Sequence, residues 1–336
     1  MRLSLAVTFV VLAAPALAQE APLDAGALDA ARASFDVPGI AVAFVDGCRP
    51  VGTVEAGLAD IAAEAPVTPE TAFEAASLSK PVFAHLVLQL ADEGVIDLDR
   101  PIAEIMPYAR ITDAEGYARI TPRMVLTHRT GLPNWAEDGG SFRSTSPIAF
   151  DAPPGTAFTY SGEGFELLRT LVERETGQSL AALFDARFAA LMPQSSFEGL
   201  PEGAAPSRGY VSARDPGEGR ALRYGGAAGG LVTTASDYAA FLGHVCRGEG
   251  LSEAMQADML RPQSPVPPGL WPGPTSWGLG WAVVQMGPET IVAHDGNNGE
   301  YRALAGFLPD TGEGFVFLTN GRGGGDLIEF LVEQMG

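Results

Sequence analysis

The chain has a single lysine among its 336 residues, against twenty arginines. It also has only two cysteines and four histidines, and its 21 basic residues face 41 Asp and Glu, for a formal charge of −20. These scarcities narrow the field. A surface this acidic repels phosphate backbones and anionic lipid, so nucleic acid is not an expected partner. The histidines show no HExxH or comparable ligand spacing, and two lone cysteines make no zinc site, so neither a metal nor any other cofactor is expected. There is no G-x-S-x-G elbow, and the glycine-rich run Gly321 to Gly325 lies near the C-terminus rather than after an early strand. The α/β-hydrolase and dinucleotide-binding readings fall with them.

Long apolar runs are also missing beyond the start of the chain. Arg2 precedes an apolar run from Leu3 to Ala14 and then Ala16-Leu17-Ala18, the small-x-small pattern of a signal peptidase site. Residues 1–18 are therefore expected to be a signal peptide, cleaved after Ala18 to leave a periplasmic or secreted protein with no membrane anchor. Loss of Arg2 takes the charge to −21. Residues 19–336 show no linker, repeat or low-complexity segment, so one domain is expected, as a monomer. Cys48 lies in an expected hairpin turn and Cys246 near the end of a helical stretch. Their spacing leaves open whether they meet, and these positions favour two separate thiols.

The layout reads as α/β. A helix over about 23–35 precedes "GIAVAFVD" and "VGTVEAGLAD", a hairpin expected to turn at Asp46-Gly47. Helices and loops follow from Ser77 onward, in a lobe spanning roughly 77–200. Strands return in "WGLGWAVVQ", "ETIVAH", "YRALAGFLP" and "GFVFLTN" before a last helix, Asp326 to Met335. Strands at both ends with helices between imply a mostly antiparallel sheet built from both termini, flanked by helices and carrying an inserted helical lobe. A site is expected where lobe meets sheet.

The sole lysine, Lys80, sits in "FEAASLSKPVFAHLVLQL", three residues after Ser77 and at the start of an apolar helix. A lysine amine can give up its proton and a guanidinium in practice cannot. Three residues along a helix returns to nearly the same face, so the Lys80 amine, if desolvated, reaches Ser77 and helps activate it. Taken alone, the spacing also fits a serine cap beside a surface lysine. The lysine's uniqueness and its place at the mouth of a buried helix favour catalysis.

These residues resemble the S-x-x-K motif of the serine β-lactamase and penicillin-binding protein clan. "LADEGVIDLDRPI", "ITPRMVLTHRTGLP", "PPGTAFTYSG", "AAGGLVTTASDYAAFL", "WGLGW" and "HDGNNGEY" occur in the order that class C β-lactamases, D,D-carboxypeptidases and esterases of that fold use. The resemblance implies a β-lactamase/transpeptidase-like fold and an acyl-enzyme serine hydrolase with Ser77 as nucleophile. By the same resemblance Tyr160, in Tyr160-Ser161-Gly162, relays a proton beside Lys80 and is made easier to ionise by it. Gly162 replaces the asparagine of the family's Y-x-N. His294-Asp295-Gly296 stands where class C β-lactamases have K-T-G, with His294 offering a hydrogen bond in place of a fixed charge.

Gly296 is expected to let substrate lie close to the strand, and the backbone N–H groups of Asn297 and Ser77 to form the oxyanion hole. Arg302, just beyond, is a candidate to reach a substrate carboxylate. Because the amide and the fixed charge are both altered, an ester or small amide is favoured as substrate. A β-lactamase or D-amino peptidase acting on a peptidoglycan-like substrate, and a non-catalytic penicillin sensor or peptidoglycan binder, are the alternatives.

Overall fold

The computed structural model describes residues 23–136 and 144–335. The expected leader, 1–18, lies outside them. The first helix, Ala25–Ser34, starts where the Asp24 side chain accepts from Ala27 N at 2.9 Å, an N-cap that satisfies an otherwise unpaired amide. Twelve strands follow in chain order: β1 Gly39–Asp46, β2 Arg49–Asp60, β3 Ala65–Pro66, β4 Thr71–Glu74, β5 Ala205–Pro206, β6 Val232–Thr233, β7 Ser264–Pro265, β8 Thr275–Trp277, β9 Ala282–Met286, β10 Glu289–Asn297, β11 Arg302–Phe307 and β12 Gly314–Thr319. The main sheet has nine strands in the order β3-β2-β1-β12-β11-β10-β9-β8-β7. The first and last long strands meet at its centre, antiparallel, with Ile40 opposite Thr319. This is the expected sheet closed from both termini.

Period-two alternation puts each central strand between two cores. Ala41, Ala43 and Val45 of β1 join the large core under the helical lobe, whereas Ile40, Val42 and Phe44 join a smaller one with Leu28 of the first helix and Leu327, Ile328 and Leu331 of the last. That last helix runs Gly324–Met335. Burial on both faces explains why "GIAVAFVD" is apolar almost throughout. On the lobe side, helix Ser79–Asp92 is buried at eleven of its positions, so Lys80 enters the core rather than the surface. No helix among the described residues is long and apolar enough to cross a membrane.

Three details differ from the sequence reading. The hairpin turns at Gly47-Cys48, since Asp46 pairs with Arg49, and both turn residues have positive φ, 53° and 60°, as a two-residue turn matched to strand twist requires. "WGLGWAVVQ" is two strands, β8 and β9, broken where Gly280, at φ 90°, lies so close to helix Ser79–Asp92 that a Cβ would meet that of Ala84 at 2.4 Å. Cys48 and Cys246 form a disulfide, with Cα atoms 5.5 Å apart. It ties the β1–β2 turn to the end of helix Ala235–Cys246, a long-range meeting that neither segment's local pattern signals.

Candidate active site

Ser77 stands in the 3-10 turn Ala76–Leu78, which runs directly into helix Ser79–Asp92. Ala76 before it has a φ of 49°, a left-handed conformation that costs a non-glycine residue about 1–3 kcal/mol. This kink between β4 and the helix leaves Ser77 half-buried between the fully buried Ala76 and Leu78. One turn on, Lys80 is only 1% exposed. Its Nζ lies 3.1 Å from Ser77 Oγ and donates to the Ala228 carbonyl at 2.6 Å, with the Tyr160 and Phe165 ring centres 4.8 and 5.6 Å away. Burial lowers its ammonium from 10.5 to about 7, against the opposing pull of Glu166 and Asp295.

Burial and the nearby Asp295 carboxylate push the Tyr160 phenol well above the usual tyrosine range, against the opposing effect of Ser77. The expectation of an easily ionised tyrosine is corrected: desolvation raises the phenol and keeps it protonated. His128 stacks on Tyr160 with ring centres 4.3 Å apart, and its Nδ1 accepts from Ser161 N at 3.0 Å. Ser161 caps helix Gly162–Thr176, its Oγ accepting from Gly164 N at 2.8 Å and donating to Pro133 O at 2.8 Å. Ser161 therefore holds the Tyr160 loop in place. At Gly162 a Cβ would come within 2.9 Å of both the Asn134 carbonyl oxygen and the Trp135 ring. The backbone of the 134–135 loop occupies that space, pinned by Gly162 N to Asn134 Oδ1 at 3.0 Å.

From the other side β10 brings His294 and Gly296 toward the nucleophile. His294 is fully buried, its ring centre 6.2 Å from that of Tyr160 and 5.3 Å from Trp277. Its Nδ1 is 2.6 Å from the Asp295 carbonyl oxygen. A carbonyl only accepts, so Nδ1 carries the proton. Burial and the Lys80 charge lower the imidazole to about 3, which leaves Nε2 a bare acceptor. The expected donor at this position is corrected to a neutral ring that presents a lone pair.

Gly296 has a packing reason to be glycine, since a Cβ would meet Ala75 O at 2.7 Å and Ala76 Cβ at 3.2 Å. β9 pairs with β10 only as far as Ala293, so the edge of β10 beyond it is open toward Ser77. Asn298 N bonds inward to Tyr301 O at 3.1 Å. Strand alternation then directs the Asn297 N–H to the open edge, the side an oxyanion donor must occupy.

Arg302 is placed elsewhere. Ala303 and Ala305 of β11 face the large core, and Arg302 lies on the opposite face, its Cδ 3.8 Å from where a Cβ on Gly325 would stand. Its guanidinium donates to the Gly299 and Tyr301 carbonyls.

Two acidic groups not singled out from the sequence complete the surroundings. Buried Glu74 accepts from Arg220 and from Asn298 Nδ2 at 2.8 Å, and Asn298 also donates to Gly229 O at 3.0 Å. Buried Glu166 accepts from Ala228 N at 2.9 Å and from Arg169 Nε at 2.7 Å. The "AAGG" loop that supplies Ala228 is thus held from both ends. The i,i+3 spacing of Glu166 and Arg169 is a signal the sequence carries, and nothing local says which loop either acid holds.

The model of the family described as Beta-lactamase matches residues 25–329. Penicillin-binding protein 4 of Amycolatopsis lactamdurans is 30% identical over 87% of this chain and 83% of its own length. Esterase EstB of Burkholderia gladioli is 34% identical over 39% of each chain. Among solved structures, D-amino acid amidase from Ochrobactrum anthropi SV3 complexed with L-phenylalanine amide superposes with a TM-score of 0.75 at 24% identity, covering 92% of this chain and 96% of that one. With the family model spanning nearly all of the described chain, the protein belongs to the beta-lactamase family and is a serine hydrolase.

Proposed function

We propose that the protein is an exported hydrolase that opens esters or small amides through an acyl-enzyme on Ser77. The observation that carries this reading is Lys80: a buried amine 3.1 Å from Ser77 Oγ, lowered to about 7 and so in large part able to accept a proton at neutral pH. Ser77 Oγ attacks the carbonyl carbon and its proton passes to Lys80 Nζ. The N–H groups of Ser77 and Asn297 hold the oxyanion. Tyr160, protonated and beside Lys80, hands a proton to the departing alkoxide or amine and regains one from Lys80. Water then cleaves the acyl ester and returns the proton to Ser77.

The ester preference rests on two features. Gly162 brings no amide for a substrate's amide side chain, and neutral His294 gives no fixed charge for a carboxylate. Each contact is worth about 1–3 kcal/mol to a β-lactam or D-alanyl peptide. The leader-like residues 1–18 and the disulfide both support export, since disulfides persist in oxidising compartments.

The test is a side-by-side assay of short-chain p-nitrophenyl esters, nitrocefin and D-alanyl peptides, with Ser77→Ala as control. The kcat/KM for esters should exceed that for nitrocefin at least about tenfold, which needs a net difference of about 1.4 kcal/mol. Nitrocefin turnover matching the esters would make the protein a β-lactamase. A fluorophosphonate that fails to label the wild type would remove the acyl-enzyme. An N-terminus at Gln19 in exported protein checks the leader.

A further inference from the structure

We infer that Glu166 is a positioning residue: through the Ala228 peptide it aims the Lys80 amine at Ser77, and its carboxylate sets the pH at which Ser77 becomes reactive. The inference rests on Lys80 as the proton acceptor proposed above. A continuous chain of contacts carries it. Arg169 Nε donates to Glu166 Oε2 at 2.7 Å, Ala228 N donates to Glu166 Oε1 at 2.9 Å, and the carbonyl of Ala228 accepts from Lys80 Nζ at 2.6 Å. One face of a single residue is fixed by the acid and the other fixes the lysine. With one N–H committed to Ala228 O, deprotonation leaves the amine's lone pair free for the hydroxyl 3.1 Å away.

The charges around Lys80 can be assigned element by element. Helix Gly162–Thr176 contributes Glu166 and the uncharged Phe165, and the loop before it Tyr160, which stays protonated. The segment after helix Pro122–Leu126 contributes His128, and β10 contributes His294; burial holds both rings neutral, with Lys80 adding to the effect. Among the described residues only Glu166 and Asp295 remain as negative charges acting on Lys80. Of the two, Glu166 exerts the larger pull on Lys80, and it is 2% exposed. Two donors, Ala228 N–H and Arg169, favour its ionised form even though burial raises its carboxyl. Glu166 therefore works to keep Lys80 protonated to a higher pH, and its charge sets an upper bound on activity in acid.

The test follows the rate of Ser77 labelling by a fluorophosphonate as a function of pH, because labelling isolates nucleophile activation from deacylation. Glu166→Gln removes the charge and keeps the oxygen that accepts from Ala228. Its acidic limb should move to lower pH by about half a unit or more, with the plateau rate within about threefold of wild type. Should the single change disturb folding, Glu166→Gln with Arg169→Gln removes both charges of the pair and should move the limb in the same direction by a smaller amount. Glu166→Ala frees the Ala228 peptide and should lower the plateau at least about tenfold at every pH. Asp295→Asn should move the limb less than Glu166→Gln.

An unmoved limb in both Gln variants, with Ser77→Ala unlabelled, overturns the role of Glu166 and leaves the mechanism standing. Labelling that survives Ser77→Ala, or never occurs in wild type, defeats the mechanism instead.

Discussion

The burial of Lys80 has a consequence for stability that separates it from any ordinary lysine. Its ammonium is displaced from 10.5 to about 7 by desolvation, while in the unfolded chain it keeps its proton to about 10.4. From pH 7 to 10 the unfolded state binds a proton here that the native state does not, so native stability rises with pH across that window, by about 1.4 kcal/mol per unit. Below pH 7 both states are charged, and the native state bears the whole burial cost, about 5 kcal/mol for this displacement. Lys80→Met removes the titration. It also deprives the Ala228 carbonyl of its donor, a loss of about 1–3 kcal/mol that does not depend on pH.

At pH 7, where the native ammonium is half titrated, the inactive variant should therefore be the more stable protein, by about 1–3 kcal/mol. Between pH 7 and 9 the difference should shift toward wild type by about 2–3 kcal/mol. Urea unfolding at both pH values, with unchanged m-values, measures it. Groups that do not feel the Lys80 charge titrate equally in the two proteins and cancel, and His128 and His294, which do feel it, are held neutral by burial across this window. Parallel stability curves would mean that Lys80 keeps an ordinary affinity for its proton in the fold, and the proton-acceptor role would lose its basis.

Lys80→Arg keeps a charge without a removable proton, so both it and Lys80→Ala should lose about 10²–10⁴-fold in kcat on a p-nitrophenyl ester; an active Arg variant would reduce the lysine to a source of positive field. Gly162→Asn puts a Cβ within 2.9 Å of the Asn134 carbonyl oxygen, and should cost about 1–3 kcal/mol of stability with no gain on nitrocefin; a tenfold rise in nitrocefin kcat/KM would show that the 134–135 loop yields. Replacing Cys48 and Cys246 by Ala opens a loop of sequence separation 198, for which chain entropy gives about 5 kcal/mol as an upper figure; an unchanged melting temperature would show the unfolded chain already compact there.

What could be read in the sequence was what depends on nearest neighbours in the chain. Alternation in "GIAVAFVD" and its C-terminal partners gave the strands, and S-x-x-K spacing along one helix turn placed Lys80 against Ser77. What escaped depends on contacts far apart. Ala228 lies 148 residues from Lys80, and the disulfide spans 198, so no window contains both ends. Arg302 escaped for a different reason: β11 is apolar on both faces, so the period separates its two sides without saying which one faces Ser77. The hydrogen-bonding role of His294 turned on a single backbone carbonyl, Asp295 O, which fixes the tautomer and is invisible to any motif.

These corrections bear on substrate in one direction. In the β-lactam reading, the third motif must present positive charge to a carboxylate. Here the ring at that position is neutral with its remaining nitrogen a lone pair, Arg302 is on the far face of the sheet, and Lys80 is engaged by Ala228 and Ser77. The nearest unpaired ionisable group on the same strand is the exposed Asp295, whose charge opposes an anion. Tyr160, held protonated, offers a proton to a leaving group rather than a charge to a ligand. The neutral and acidic groups around the nucleophile offer no contact to an anionic substrate, and this supports the proposed preference for a neutral ester.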